Sequence, residues 1–141
     1  MDLTHAPPTV TYDAAAALVA AALRHARARG WSVAVAVVDP NGDVIAAARP
    51  DGVRPTTLRM ATDKAVTTTL GKTTLAFMER MRDPALAGGL SSRTDLLAWE
   101  GGQPIRLDGT LVGGMGASGA SGHQDAECVA TALAELGFDP A

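Results

Sequence analysis

The chain has 141 residues, the length of one ordinary domain, and 47% of them are hydrophobic while 19% are charged, which predicts a folded core and excludes intrinsic disorder. The net charge of −3 provides no basic surface for nucleic acid, and no apolar run approaches the roughly 20 residues that cross a membrane. Cys128 is the only cysteine, so no disulfide forms within the chain, and the first residues lack the basic and apolar regions of a secretory signal. These features favour a cytoplasmic protein.

The first 30 residues divide into an arm and a helix. Residues 1–10 are predicted to be a flexible N-terminal arm, because Pro7 and Pro8 exclude a helix there, and a single domain is expected over residues 11–141. The segment TYDAAAALVAAALRHARARG (11–30) has apolar residues at helical spacing. It predicts a first helix, with Thr11 as the N-cap and Gly30 after the last turn.

The next segment predicts a β-hairpin. WSVAVAVVD (31–39) is apolar on both faces, as in a central strand that is covered on both sides. Asn41-Gly42 is the strongest short hairpin signal in the chain, and VIAAARP (44–50) follows as the return strand.

Two helices and a loop are predicted next. RPTTLRMATDKAVTTTLG (54–71) and TTLAFMERMRD (73–83) have helical patterns, and Pro84 is expected to stop the second of them. PALAGGLSSRTD (84–95) contains two adjacent glycines and no clear period, so we expect a mobile loop.

The C-terminal third predicts three strands and a helix. LLAW (96–99), QPIRL (103–107) and TLVGGMGAS (110–118) are separated by glycine turns, and QDAECVATALAELG (124–137) is amphipathic. The order is therefore α-β-β-α-α-β-β-β-α. It predicts a single α+β domain with an antiparallel sheet of about five strands flanked by helices.

The segment GGMGASGASGHQD (113–125) contains a literal G-x-G-x-x-G at Gly114, Gly116 and Gly119. That pattern is typical of phosphate cradles when it joins a parallel strand to a helix. Here the first glycines lie inside a strand, no parallel crossover surrounds them, and Asp125 occupies the first turn of the next helix. We therefore predict no nucleotide site.

A structural role explains much of the same segment. Ser121 and Gln124 have the spacing of a capping box, which satisfies free N–H groups at a helix start. Glycines within a strand also mark the close approach of another backbone or a ligand. The glycines are accordingly interpreted as opening space beside the sheet for a small molecule.

Three motifs resemble one protein family. GGQPIRLDGTLVGGMGASGASGHQDAECVATAL (101–133), VVDPNGDVIAAARPDG (37–52) and ATDKAVT (61–67) are similar, in that order, to motifs of the GlcG/HbpS-like proteins, which include the C-terminal domain of PduO-type proteins. The resemblance covers roughly residues 11–137. It implies a profilin-like fold and homo-oligomers. Several family members are described as haem-binding, and others belong to small-molecule catabolic operons.

Candidate site residues lie in two of these motifs. Arg49 can recognise a carboxylate bidentately, with Asp51 beside it at the same corner. Lys64, one helical turn from Thr67 and Thr68, is either a salt-bridged structural residue or a base whose pKa burial lowers.

The glycine-rich segment supplies the other candidates. His123 lies at its mouth, and Glu100, next to the Gly101-Gly102 turn, is a further acid; with Lys64 they form the candidate catalytic set. His5 and His25 are expected to be solvated. Metal ligands are not expected, because His123 and Cys128 alone do not make a zinc site. The ligand-binding residues expected here are Gly116, Ser118, Gly119, Gln124 and Asp125.

Two functions follow. The first is a small-ligand-binding protein whose ligand is haem or a small carboxylate; the haem is implied only by the resemblance. The resemblance also implies a threonine as the iron ligand, and the choice stays open among Thr67, Thr68, Thr69, Thr73 and Thr74. The alternative is a cofactor-independent lyase or isomerase that uses acid–base chemistry on a small carboxylic acid.

Overall fold

The computed structural model describes residues 1–141 and contains five helices and four strands. The helices are α1 (Tyr12–Ala28), α2 (Thr57–Thr68), α3 (Thr74–Arg80), α4 (Pro84–Ser91) and α5 (Gly122–Glu135). The strands are β1 (Ala34–Val38), β2 (Val44–Ala48), β3 (Gly102–Leu107) and β4 (Thr110–Ser118). The α+β class is confirmed, with four strands in place of the expected five.

The four strands form one antiparallel sheet in the order β2-β1-β4-β3. Strand β1 is central and entirely buried, which confirms the interpretation of its apolar run. The hairpin between β1 and β2 is also confirmed. Gly42 at its tip has φ 93°, a conformation that glycine adopts without strain, and Asp39 accepts hydrogen bonds from the backbone N–H groups of Asn41 and Asp43.

Helices cover both faces of the sheet. Helices α1 and α5 pack on one face, where Val35, Val37 and Met115 join the larger core. Helix α2 packs on the other face, where Ala34 and Ala36 contact Ala61 in a smaller core. The alternation of side chains along β1 therefore places valines towards two helices and alanines towards one.

Helix α2 lies unusually close to the sheet because glycines face it. A methyl group at Gly116 would clash with the Ala61 carbonyl oxygen and lie 2.7 Å from the Ala65 nitrogen. One at Gly114 would meet the Ala65 carbonyl, and one at Gly102, paired with Gly116 in the sheet, would lie 2.9 Å from the Lys64 carbonyl oxygen. These strand glycines therefore admit the backbone of α2. At Gly116 and Gly114, this corrects the expectation that they open space for a small molecule.

Two expected elements differ in the structure. Residues 96–99 form no strand, because the Leu97 N–H donates to the Thr67 hydroxyl of α2 at 2.8 Å instead of joining the sheet. The expected loop at 84–95 contains α4. Asp83 caps this helix by accepting a hydrogen bond from the Ala85 N–H, and Pro84 fits its first turn, so the start signals outweigh the two glycines.

The end of the N-terminal arm is attached to the domain. Residues 1–9 are exposed and have no helix or strand, whereas Val10 is 6% exposed and its N–H donates to the Val112 carbonyl at 2.9 Å. Thr11 then caps α1 as expected, accepting from the Ala14 N–H at 3.2 Å. The flexibility of the arm stays a prediction.

We expect Gly116→Ala to lower the free energy of unfolding by about 1–3 kcal/mol, because the added methyl group overlaps backbone atoms of α2 that cannot rotate away. Urea denaturation followed by circular dichroism measures this. Gly88→Ala is the matched control: a methyl group there meets no atom within 4 Å, and alanine is the better helix former. Equal stability of Gly116→Ala and wild type would contradict the close packing of α2.

Candidate functional site: a cavity above a buried ion pair

The largest cavity, of about 640 Å³, lies between α2, the end of β4 and the start of α5. Such a volume is typical of small-molecule sites. Residues before α2 and on α3 complete its walls. The lining residues are Ser32, Gly52, Val53, Arg54, Thr56, Thr57, Met60, Lys64, Met78, Trp99, Glu100, Ser118, Gly119, Ala120, Gly122 and Asp125.

Lys64 and Asp125 form a buried ion pair in this cavity. The Lys64 ammonium donates to Asp125 Oδ2 at 3.1 Å and to the Ala117 carbonyl at 3.0 Å. Each side chain is only 3% exposed. The sequence left two alternatives for Lys64, a salt-bridged structural residue or a base, and the structure shows the salt bridge. An ammonium has three donors, so one N–H of Lys64 has no protein partner.

The pKa of Asp125 is raised by burial, which is only partly offset by the charge of Lys64 and by hydrogen bonds from Lys64 and from backbone N–H groups, one of them Ala120. Its Oδ1 accepts from the Ala120 N–H at 3.0 Å. Asp125 also lies in the first turn of α5, where the helix dipole favours a carboxylate. The carboxylate therefore connects α2, α5 and the loop after β4.

Gly101 leaves room for this pair. A methyl group at position 101 would lie 2.8 Å from Lys64 Nζ and 2.8 Å from Asp125 Cβ. Its φ of 128° also belongs to a region that favours glycine. The turn next to Glu100 thus covers the ion pair with backbone alone.

Glu100 lines the cavity, whereas His123 lies outside its lining. The Glu100 side chain is 24% exposed and that of His123 is 84% exposed; Glu100 Oε1 and His123 Nδ1 are 3.9 Å apart. No protein group hydrogen-bonds to the Glu100 carboxylate. The structure thus brings Lys64 and Glu100 to one cavity and leaves His123 in solvent beside it.

Some residues of the glycine-rich segment line the cavity, and others have a structural role. Ser118, Gly119 and Asp125 line the cavity. Gly116 contacts α2, as described above, and Gln124 completes the predicted capping box: its N–H donates to Ser121 at 3.2 Å, and its side chain accepts from the Ser121 N–H at 3.1 Å.

The threonines at the C-terminal end of α2 lie apart from the cavity and are bonded to the backbone. Thr67 donates to the Asp63 carbonyl and Thr68 to the Ala65 carbonyl, both at 2.7 Å, and neither side chain is exposed. Thr69, Thr73 and Thr74 likewise hydrogen-bond to backbone groups. The hydroxyls of these five threonines therefore stabilise the backbone of the fold.

Arg49 and Asp51 do not reach the cavity of Lys64. The Arg49 guanidinium donates to the Val53 carbonyl at 2.6 Å, and Asp51 lines a separate cavity of about 150 Å³. His25, expected to be solvated, is only 17% exposed. Its ring pairs with Glu127 at 2.9 Å and packs against Trp31, because α1 and α5 are adjacent.

The cavity residues that the sequence interpretation missed include Arg54, Met60, Met78 and Trp99. Met60 had a usable signal, because it precedes Lys64 by four positions and therefore shares its helical face. Trp99 had none, since it lies in an irregular segment that only the tertiary structure brings to the cavity.

Comparisons with known proteins identify the family. The model of the haem-degrading HbpS-like proteins matches residues 10–134. Protein GlcG of Escherichia coli strain K12 is 34% identical over 104 residues, which are 74% of this chain and 77% of GlcG. The chain belongs to the HbpS-like family.

Solved structures agree with the HbpS-like assignment. A double mutant of Streptomyces reticuli HbpS is 34% identical, with a TM-score of 0.87 over 96% of this chain and 91% of that chain. A PduOC–haem complex is 26% identical, with a TM-score of 0.85 over 94% of this chain and 98% of that chain. The family description refers to haem degradation and the PduOC structure contains haem, and none of these names refers to a lyase or isomerase.

No helix of this HbpS-like chain is both long and apolar enough to cross a membrane. A cytoplasmic location stays a prediction.

We expect the titration of Asp125 to lower the stability of the wild type as pH rises. The folded pKa is above the ordinary 3.8, so the folded state holds a proton that the unfolded state has lost. Between 3.8 and the folded pKa, the free energy of unfolding of wild type relative to Asp125→Asn should therefore fall with pH, and it should be constant above that window.

Urea denaturation of both proteins across this pH range measures the difference. A difference that rises with pH would mean that Lys64 and the hydrogen bonds outweigh burial. Asp13→Asn, in the first turn of α1, is the control for aspartate substitution in general.

Proposed function

We propose that this protein binds haem in the cavity beside Lys64. The observation that carries the proposal is the composition of the lining: Met60, Met78 and Trp99 provide apolar and polarisable surface, and Arg54 provides a cation, around about 640 Å³. Haem requires an apolar wall for its macrocycle and cations for its propionates. Met60, Met78 and Trp99 provide the apolar wall, and Arg54 provides one cation for a propionate.

The charges of the cavity favour a ligand with an apolar body. Lys64 is neutralised by Asp125, so the buried part of the cavity carries no net charge from this pair. Arg54, on the exposed segment before α2, can pair with a propionate while that group stays near water. A small carboxylate bound deeply would instead meet Asp125 and Glu100, which disfavours that ligand class.

Methionine is the candidate iron ligand in the lining. A thioether is one of the axial ligand types used by haem proteins, and Met60 and Met78 both line the cavity. Thr67 and Thr68 have their hydroxyls bonded to the backbone, and His25 is paired with Glu127. When bound, haem supplies an iron centre whose reactivity depends on the axial ligand and on the polarity around it.

The relatives support the same ligand. The family is described as haem-degrading, and the PduOC domain, which covers 94% of this chain, has been solved with haem. Haem binding by this chain is thus supported by its cavity and by its family independently.

We expect the double substitution Met60→Leu, Met78→Leu to change the visible spectrum of the haem complex, because leucine conserves volume but removes the sulfur ligands. Arg54→Gln should weaken haemin binding by about two- to fivefold, the range for an exposed ion pair, and less at high salt. Haemin titration followed at the Soret band measures both.

Matched controls separate the cavity from the surface. Met81→Leu and Arg59→Gln change the same residue types outside the lining, and His25→Ala tests the histidine away from it. These three should bind haemin as the wild type does. Stoichiometric binding that His25→Ala abolishes, or that Arg54→Gln and Arg59→Gln weaken equally, would place the haem elsewhere.

We also infer that the protein forms homo-oligomers. Helix α4 is apolar along most of its length, yet none of its residues is buried, and Leu75 of α3 is 36% exposed. Apolar surface of this kind is usually covered by a partner. The face formed by α3 and α4 is therefore the proposed contact between copies of this chain.

Light scattering should give a mass several times 14.4 kDa. Leu86→Glu, on α4, should lower that mass because it places a charge in the contact. Leu107→Glu, at an exposed leucine of the β3–β4 hairpin, is the control and should leave the mass unchanged. A monomer at micromolar concentration in the wild type would contradict the inference.

A further inference from the structure

One wall of the cavity is hydrogen-bonded to a buried carboxylate. Gly119 and Ala120 line the cavity directly after β4. Gly119 has φ 133°, and a methyl group there would clash with the Ser32 carbonyl oxygen, so its backbone runs tightly against the segment before β1. The Ala120 N–H donates to Asp125 Oδ1 at 3.0 Å. The position of this wall therefore depends on the Asp125 carboxylate.

The same carboxylate is fixed from the opposite side. Asp125 Oδ2 accepts from Lys64 at 3.1 Å, and Lys64 also donates to the Ala117 carbonyl at 3.0 Å, in β4 two residues before Gly119. Both charged side chains are 3% exposed, so water does not replace these bonds. Lys64 and Asp125 thus connect α2 to the wall from both of its ends.

We propose that Lys64 and Asp125 are positioning residues for ligand binding, which hold the Gly119–Ala120 wall in its binding position only while Asp125 is charged. The ligand in this inference rests on the proposed function. The movement of the wall does not, because it is observable without a ligand.

Protonation of Asp125 weakens both of its contacts, the ion pair with Lys64 and the hydrogen bond from the Ala120 N–H. A neutral carboxyl accepts weaker hydrogen bonds than a carboxylate, and it leaves the Lys64 ammonium without a counter-charge. The charged groups around Asp125 are few: Lys64 faces it from α2, Arg54 and Glu100 line the same cavity, and Glu127 lies two residues further along α5. Burial also raises the pKa of Asp125, so the change occurs at a milder pH than for an ordinary aspartate.

The first experiment follows the backbone amide resonance of Ala120 in the ligand-free protein by NMR as the pH is lowered. The wild type should show a transition that is absent in Asp125→Asn. Asp63→Asn is the matched control: Asp63 lies next to Lys64 on α2 and its pKa is also raised by burial and by Asp95, but it does not line the cavity. This control should keep the wild-type transition.

The second experiment measures haemin affinity over the same pH range. Wild-type affinity should fall about tenfold through the Ala120 transition, the cost of losing one hydrogen bond to a charged group. Asp125→Asn should bind with the weaker affinity throughout and lack this step. Effects of Glu100, His123 and the haemin propionates are common to both proteins, so the comparison removes them.

The outcomes separate the two claims. A shared midpoint for the amide and the affinity, absent in Asp125→Asn, supports the proposal. An Ala120 amide that does not respond in the wild type, or responds equally in Asp125→Asn, overturns it, as does an identical affinity profile for both proteins. If haemin fails to bind the wild type at any pH, the proposed function fails, and the amide transition alone decides whether the pair holds the wall. Where Asp125→Asn does not fold, a wild-type Ala120 amide that does not respond to pH still overturns the proposal.

Discussion

The close approach of α2 to the sheet is the constraint on which the site depends. Where most helices pack on side chains of the sheet, α2 meets glycine backbone at Gly102, Gly114 and Gly116. The backbone of α2 therefore contacts the backbone of the strands with no side chain between them at these positions. At that depth the stem of Lys64 passes beneath Gly101, and its ammonium reaches the end of β4 and the first turn of α5.

Burial of this ion pair is not explained by stability alone. Removing two charges from water costs several kcal/mol for each ion, and apolar replacements of such pairs are often neutral or stabilising. In this molecule every carboxylate oxygen of Asp125 has a partner, and the pair joins α2, α5 and the wall of the largest cavity. Its location gives it a role that an apolar pair cannot perform: it fixes polar backbone groups at a ligand-sized space.

The elements with local signals were the predictable part of this fold. The caps at Thr11 and Ser121, the Asn41-Gly42 hairpin and the apolar β1 follow from neighbouring residues, and the structure has all of them. Helix α4 was missed because Pro84 was interpreted only as the end of the preceding helix, whereas with Asp83 as the cap it begins the next one. The expected strand at 96–99 was wrong because its apolar residues resemble a strand locally, whereas Thr67 provides the hydrogen bond that determines its path.

The candidate site was harder to predict, because a side chain is available to a ligand only where other groups of the protein do not already bind it. That depends on the tertiary structure. Lys64, Glu100 and Asp125 were recognised as chemical groups, and they meet at one cavity. Arg49 has the same chemistry as Arg54, but its guanidinium is bound to the Val53 carbonyl, a contact across four residues that spacing alone does not reveal. Met60 and Trp99 carry no charge and no motif, so only the shape of the cavity identifies them.

The segment 113–125 shows why a glycine pattern must be interpreted with its surroundings. In a phosphate cradle, free N–H groups at a helix start converge on the anion. Here the Gln124 N–H donates to the Ser121 side chain and the Ala120 N–H donates to the Asp125 side chain. Glu100 lies beside Gly122 at the same helix start. Two carboxylates therefore stand where a phosphate would bind, and two of the glycines of the pattern face α2. The segment uses its glycines to bring α2 close, and its acidic residue to hold one wall of the cavity that this packing creates.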